Sequence, residues 1–219
     1  LPLNALIDHP QESQLKISQS KRLGVDKALI SLKDKPIIVR TIEKIYSKSD
    51  DILIVTKSEK RAKNIEQILE EPVKVIWDEE PSFETPLIGI LSGFKRTLNE
   101  NILLLGCDMP LINPEVIDLI VDCYSKASSR YCAVVPQHPN GYIEPLCAIY
   151  RKGPAIKALT QCLEEKSYRL KSFIDHIPKV QFLPIRELEN KDPELLTLYN
   201  VNTRDDLVKL MRILERSES

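Results

Sequence analysis

Residues 102–106 of the chain are Ile-Leu-Leu-Leu-Gly, and Cys107-Asp108-Met109-Pro110 follow them directly. A run that is apolar at every position is typical of a parallel strand inside a sheet, because helices cover both faces of such a strand. Asp108 stands just past the carboxyl end of this strand, where open α/β sheets bind their ligands. The stretch therefore predicts an α/β fold with a parallel sheet at its centre.

The neighbouring segments alternate between strand and helix patterns. Asn113-Pro114-Glu115 combines an N-cap, a proline in the first turn and an early carboxylate, and it predicts a helix that runs to residue 124. Strands in alternation with helices predict βαβ units, and hence a Rossmann-like three-layer sandwich with a mostly parallel sheet. The pattern predicts further strands at 51–56 and 73–77, and helices at 36–46, 57–70 and 86–98.

The pattern changes after residue 130. Two short apolar stretches, 131–136 and 146–150, are joined through Asn140-Gly141 and predict a small antiparallel excursion, as a lid or a sheet edge that faces the substrate. Thr203 and Asp206 form a capping-box pattern that opens the last helix, to residue 215. Helices are also predicted at 154–165 and 169–177, and a strand at 180–183. No long linker interrupts the chain, so residues 1–219 are expected to form a single domain.

Composition excludes several functional classes. The 219 residues carry a net charge of -1, which argues against a globally basic nucleic-acid binder. No apolar run approaches the roughly 18 residues of a membrane helix, and no signal-peptide pattern is present. The five cysteines are odd in number and contain no CxxC pair, which argues against a disulfide framework and a zinc ribbon. We therefore expect a protein of the reducing cytoplasm.

Asp108 is the first candidate site residue. A lone carboxylate at the end of a buried strand suits Mg²⁺, which takes few protein ligands and completes its shell with phosphate and water. The alternative interpretation is that Asp108 only caps the following turn.

Two further segments could bind a ligand. In the segment 20–27 (SKRLGVDK), Arg22 and Lys27 stand on either side of Gly24. The guanidinium of Arg22 could bind phosphate with two hydrogen bonds, and the ammonium group of Lys27 could bind it as a single charge. The alternative is a solvated basic turn. Before the last helix, Asn200 and Asn202 place two amides at a helix N-terminus, where they could bind polar ligand groups. Ordinary helix caps are the alternative there.

Six motifs together resemble the molybdenum cofactor guanylyltransferases, a family of the nucleotide-sugar-pyrophosphorylase-like nucleotidyltransferases. In chain order they are GVDKAL, TPLIGI, LLLGCDMPLINPEVI, EPLCAIY, RLKSFI and NVNTRDDL, and the resemblance runs from about residue 20 to residue 210. The resemblance implies a Rossmann-like, largely parallel sheet and a Mg²⁺-dependent transfer of GMP from GTP to molybdopterin, with release of pyrophosphate. It also implies no nucleic-acid or membrane partner, and it leaves open biosynthetic proteins or molybdoenzyme chaperones as further partners.

The resemblance also implies roles for individual residues. The nucleotide's phosphates would be held at Arg22, Gly24 and Lys27, with Arg22, Lys27 and Asp108 as the catalytic set and Asp108 as the Mg²⁺ ligand. The rest of the nucleotide would lie near Asp78, Pro86, Leu87 and Gly89. The pterin substrate would face Glu144, Pro145, Asn200 and Asn202.

The chain departs from the family in its first loop. The family continues its first strand with LAGGxS, whereas here the expected strand at 3–7 is followed by 8–19, DHPQESQLKISQ, without a glycine. Glycines in such a loop let backbone N–H groups close around phosphate. Three explanations stay open: a diverged or inactive protein, an altered sequence, and a segment in which flexible residues are missing or replaced. Thr85 also replaces the family's glycine, and Thr56-Lys57-Ser58 lacks the family's frequent asparagine.

Two rival functions follow from these departures. One is a sister cytidylyl- or guanylyltransferase that acts on another phosphorylated acceptor. The other is a catalytically inactive relative that binds a nucleotide or a protein. We interpret His9, His138 and His176 as structural or solvated, and no nucleophile constellation indicates a hydrolase.

Overall fold

The computed structural model describes residues 4–8, 27–77 and 85–217. Its strands are β1 (Asn4–Asp8), β2 (Ser31–Leu32), β3 (Lys35–Pro36), β4 (Asp51–Thr56), β5 (Lys74–Trp77), β6 (Asn101–Gly106), β7 (Ala133–Gln137), β8 (Cys147–Arg151) and β9 (Val180–Pro184). Its α-helices are α1 (Ile37–Ile45), α2 (Glu59–Glu66), α3 (Pro86–Arg96), α4 (Pro114–Ala127), α5 (Lys152–Glu164), α6 (Leu170–His176), α7 (Ile185–Glu189) and α8 (Arg204–Ser217). Short 3-10 turns lie at Lys27–Leu29, Tyr46–Lys48 and Leu196–Leu198.

One seven-stranded sheet has the order β5-β4-β1-β6-β8-β7-β9. Strands β5, β4, β1 and β6 are parallel, β8 is antiparallel to both β6 and β7, and β9 is parallel to β7. Six strands therefore point their carboxyl ends to the same edge, and only β8 begins there. A separate two-stranded hairpin, β2–β3, precedes α1.

Alternate residues of the central strands enter two different cores, because successive side chains of a strand point to opposite faces. In β6, Leu103 and Leu105 face a core formed with α1, α2, α4 and α7, whereas Ile102 and Leu104 face a core formed with α3, α5 and α6. Helices thus cover both faces of the sheet, which confirms the predicted three-layer, mostly parallel α/β fold.

A third, smaller core joins the β2–β3 hairpin and α1 to the last helix. Leu32 of the hairpin and Ile37 of α1 pack with Val201 and with Leu210 and Leu214 of α8. The segment that leaves the predicted phosphate loop is therefore packed against the segment that carries the two predicted amides. In the described part of the chain, no helix has the length and apolar character that crossing a membrane requires.

Most predicted elements are present, with corrections at their ends. The first strand extends to Asp8, α2 ends at Glu66 because its following residues are turns, and α3 ends at Arg96. The antiparallel excursion exists, but it is not an edge: β8 lies inside the sheet between β6 and β7, and β9 is the edge strand. Hairpin β2–β3 and helix α7 were not predicted, since two-residue strands and five-residue helices carry little periodicity.

Candidate functional site

Asp108 lies at the carboxyl edge of the sheet, in the turn that follows β6. Its residue is only 5% exposed, so its carboxylate is one of the few charged groups held inside the protein. The strands β1 and β8 flank β6, and the residues that precede β8 reach the same edge. This is the edge at which open α/β sheets bind their ligands, outside the carboxyl ends of the strands.

The turn around Asp108 is fixed from two sides by hydrogen bonds to its backbone. The buried hydroxyl of Thr41, on α1, donates to the carbonyl oxygen of Met109 at 3.2 Å. The backbone N–H of Val201 donates to the carbonyl oxygen of Asp108, also at 3.2 Å. Because both partners belong to distant segments, the tertiary structure holds the backbone of the turn that carries Asp108.

Gly106 makes room for the Asp108 carboxylate. A Cβ at position 106 would come within 2.8 Å of Oδ1 of Asp108, closer than such atoms can approach. The Asp108 carboxylate therefore occupies the space that a side chain at position 106 would need. In the described part of the chain, no group of three or more His, Cys, Asp or Glu side chains is placed to hold a metal ion. A single carboxylate fits Mg²⁺, which takes few protein ligands and completes its shell with phosphate and water.

The predicted amides stand on either side of a core residue. Asn200 and Asn202 are exposed, while Val201 between them is fully buried in the third core. The alternation of an extended backbone places the two amides away from that core and next to the Asp108 turn. The capping box is also confirmed: Thr203 N donates to Oδ2 of Asp206 at 2.7 Å, and Asp206 N donates to Oγ1 of Thr203 at 3.1 Å.

Val201→Ala should weaken the packing of the segment before α8 in the third core. We expect a loss of roughly 1.5–3 kcal/mol in the free energy of unfolding, because a fully buried apolar side chain is truncated. Denaturant unfolding measures it, and Val208→Ala, on an exposed residue of α8, is the matched control and should be near neutral. Equal effects of the two variants would contradict the anchoring role of Val201.

The segment at the start of α3 contains a helix cap and two buried residues. Thr85 is the N-cap, since its hydroxyl accepts from Leu87 N at 3.3 Å, and its extended φ of -130° needs no glycine. Leu87 is fully buried in the core with α5 and α6, and Gly89 is buried on α3. The Leu87 side chain therefore packs in this core, and the approach of Pro86, Leu87 and Gly89 to the nucleotide stays a prediction. Pro86 and the backbone of this turn are left to face a ligand.

Glu144 forms an ion pair at the same sheet edge. Its Oε1 lies 2.9 Å from Nε2 of His138, and the two side chains are only 16% and 27% exposed. Burial raises the pKa of Glu144, and the hydrogen bond and charge of His138 oppose that rise. The neighbouring Pro145 is buried, and its carbonyl oxygen accepts from the Tyr150 hydroxyl at 2.8 Å. Of the two neighbouring residues Glu144 and Pro145, only Glu144 has a side chain that can contact a ligand. Pro145 holds the segment in place through its hydrogen bond with Tyr150.

His138→Gln should move the titration of Glu144 to higher pH. The imidazole lowers the pKa of the carboxyl, so its removal leaves burial to raise that pKa further. Carboxyl ¹³C NMR of Glu144 over the acid range measures the shift. His176→Gln is the matched control, because His176 pairs with a different carboxylate, Glu165. A Glu144 titration that both variants leave unchanged would show that the imidazole does not act on the carboxyl.

Cys162, His176 and Glu165 come together like a nucleophile triad but cannot act as one. His176 Nδ1 lies 3.5 Å from the Cys162 sulfur and 2.8 Å from the Ser172 carbonyl, and Nε2 lies 3.0 Å from Glu165. Since a carbonyl oxygen can only accept, Nδ1 of His176 donates to Ser172 and is not a base toward the Cys162 thiol. This hydrogen bond, foremost, and Glu165 raise the pKa of His176. Burial also raises the pKa of the Cys162 thiol. The cluster ties α5 to α6.

Three predicted site residues, Arg22, Gly24 and Asp78, lie outside the part of the chain that the structure describes. The glycine-free segment 8–19 also lies outside it, except for Asp8. Lys27 opens the 3-10 turn Lys27–Leu29, and Ala28 beside it is buried in the same core as Met109. The backbone of Lys27 is therefore anchored close to the main core. The roles expected for these residues stay predictions.

The residues that position the site were not identified from the sequence. The Thr85-Pro86 pair carries an N-cap signal that could have been recognised, because a hydroxyl before a first-turn proline is typical of helix starts. Thr41 gives no such signal, since it occupies an ordinary interior position of α1. His138 was interpreted as structural or solvated, and only its contact with Glu144 connects it to the site.

The comparisons with known proteins agree with this geometry. Residues 18–180 match the model of the MobA-like NTP transferase domain. A relative from Thermococcus gammatolerans, with the name "Probable molybdenum cofactor guanylyltransferase", is 34% identical over 199 residues, which are 88% of this chain and 94% of the relative.

Solved structures show the same fold. Molybdopterin-guanine dinucleotide biosynthesis protein A from Archaeoglobus fulgidus superposes with a TM-score of 0.78 at 24% identity, over 99% of this chain and all of that one. The 2-C-methyl-D-erythritol 4-phosphate cytidylyltransferase from Thermus thermophilus gives a TM-score of 0.64 at 12% identity, over 99% of this chain and all of that one. Since the family model covers most of the chain and the relatives align along nearly all of it, the chain belongs to the MobA-like NTP transferase domain family.

Proposed function

We propose that this protein transfers GMP from GTP to molybdopterin in a Mg²⁺-dependent reaction. A phosphate oxygen of the acceptor attacks the α-phosphorus, the bond between the α-phosphorus and its bridging oxygen breaks, and pyrophosphate leaves with the electron pair. The observation that carries the proposal is the buried Asp108 at the carboxyl edge of the sheet, in a turn whose backbone Thr41 and Val201 hold by hydrogen bonds. Family membership and relatives named as molybdenum cofactor guanylyltransferases support it.

The nucleotide side of the site neutralises charge and orients the phosphates. Asp108 would hold Mg²⁺, which when bound offsets the negative charge of the triphosphate. Lys27 and Arg22 would hold the phosphates through charge-assisted hydrogen bonds, with Gly24 allowing a close backbone approach. No covalent intermediate on the protein is needed, because positioning and electrostatic stabilisation suffice for phosphoryl transfer.

The rest of the nucleotide and the acceptor would lie on opposite sides of Asp108. We assign the base and ribose to Asp78, Pro86 and the backbone at Leu87 and Gly89. Glu144, Pro145, Asn200 and Asn202 are assigned to molybdopterin. We also place the reaction in the cytoplasm, because the five cysteines are free thiols.

A nucleotide panel tests this proposal. The purified protein is incubated with molybdopterin, Mg²⁺ and either GTP or CTP, and pyrophosphate and the dinucleotide product are quantified by enzymatic assay and mass spectrometry. We expect a product with GTP, little with CTP, and none after EDTA treatment. Transfer from CTP would identify a sister cytidylyltransferase instead. GTP binding without transfer would identify the inactive relative that the glycine-free segment 8–19 suggests.

A further inference from the structure

A second ligand-sized space opens at the sheet edge beyond Glu144. It is a cavity of about 290 Å³ where β7 and β9 end, lined by Gln137, His138, Phe182, Pro184, Ile185 and Arg186 among others. That volume is at the lower end of small-molecule pockets. None of these six residues is among the site residues that the motifs indicated.

The cavity lies on the same edge of the sheet as Asp108. Strands β6, β7 and β9 all point their carboxyl ends to this edge, with β8 between β6 and β7. Neighbouring strands are about 4.8 Å apart, so the end of β7 lies on the order of 10 Å from the end of β6. A molecule whose phosphate reaches Asp108 would have to span about this distance along the edge to enter the cavity.

The His138–Glu144 pair connects the cavity to the acceptor side. His138 lines the cavity, and its Nε2 is 2.9 Å from Glu144 Oε1. Glu144 lies in the segment just before β8 (Cys147–Arg151), the strand between Asp108 and the cavity. The ring of Tyr142 lies 5.6 Å from that of His138, which places an aromatic side chain next to the pair. Through His138, the predicted acceptor motif is thus in direct contact with a residue that lines the cavity.

The lining suits a planar nitrogen heteroaromatic ring. Phe182 is 42% exposed although it is a large apolar residue, and Pro184 and Ile185 extend its apolar surface. Gln137 and Arg186 add an amide and a guanidinium that can hydrogen-bond the polar edge of such a ring. Arg186 is 78% exposed and lies 3.9 Å from Glu187, too long for a strong ion pair. Its guanidinium can therefore turn to a ligand at a small cost in free energy.

We propose that this cavity binds the bicyclic pterin ring of the acceptor, with Phe182 as the stacking surface and Arg186 as a polar contact. The proposal rests on the proposed function, because the acceptor's phosphate must at the same time reach Asp108. It makes Phe182 and Arg186 determinants of acceptor specificity and leaves GTP recognition to the other half of the sheet.

Phe182→Ala and Arg186→Ala test the proposal in the full-length protein. Loss of a stacking surface should raise the KM for molybdopterin about tenfold or more, with the KM for GTP within about twofold of the wild type. Phe182→Tyr should restore most of the affinity, since it keeps the ring. Met211→Ala is the matched control, because Met211 is 43% exposed on α8, away from the cavity. An unchanged KM for molybdopterin in both alanine variants, or an equal rise in Met211→Ala, would overturn the proposal.

A binding measurement separates this inference from the proposed function. Quenching of the fluorescence of 6-hydroxymethylpterin is titrated without GTP, so that no transfer is needed. Quenching that Phe182→Ala abolishes supports the ring site even if the protein transfers no GMP. Active GMP transfer together with unaltered quenching and KM in the Phe182 and Arg186 variants would refute the ring site while the proposed function stands.

Discussion

Asp108→Asn is expected to abolish GMP transfer, with a loss of about 10³-fold or more, while the protein stays folded. The amide keeps the shape of the side chain but removes the charge that would hold Mg²⁺. Single-turnover GMP transfer and the melting temperature measure the two effects separately. An Asp108→Asn variant with a normal rate would show that the carboxylate only caps its turn.

Asp192→Asn is the matched control for this experiment. Asp192 is 6% exposed, almost the same as Asp108 at 5%. Its two carboxylate oxygens accept from Leu196 N at 3.0 Å and from Thr197 N at 2.6 Å, so its partners are structural. An amide has only one acceptor oxygen, and we expect a loss of about 1–3 kcal/mol of stability with the transfer rate retained. The pair of variants therefore separates loss of a buried charge from loss of a catalytic group.

Gly106→Ala is expected to lower transfer about 10- to 100-fold without removing any functional group. The new Cβ would lie 2.8 Å from Oδ1 of Asp108, so the carboxylate must move, and misplacement by less than an ångström can reduce a rate this much. Stability should change little, because the displaced atom is the end of a side chain. The Mg²⁺ concentration that gives the half-maximal rate should rise as well.

Gly153→Ala is the control for the substitution itself. Nothing lies within 4 Å of the position of its new Cβ, at the start of α5, and alanine is favoured over glycine in a helix. We expect normal transfer and equal or slightly higher stability. A Gly106→Ala protein with wild-type kinetics and Mg²⁺ requirement would mean that the position of the Asp108 carboxylate does not control the reaction.

The sequence determined those features that short-range patterns encode. The run DILIVT predicted a strand at 51–56, and β4 is Asp51–Thr56. Asn113 predicted a helix start, and its side chain accepts from Glu115 N at 2.9 Å. Caps and apolar periodicity act between neighbours in the chain, so they can be recognised without the fold. For the same reason Asp108, Asn200 and Asn202 were identified as candidates before their environment was known.

Only the tertiary structure decided how those candidates are held and what lies beside them. The hydrogen bond from Thr41 to Met109 spans 68 residues, and the one from Val201 joins Asp108 to the segment before the last helix. The insertion of β8 between β6 and β7 brings Glu144 and His138 to the edge that Asp108 occupies. Strand order and such long-range contacts depend on how complete layers pack against each other, and no local pattern records that packing. The sequence thus determined which residues could carry the chemistry, and the packing of the sheet decided which of them share one site.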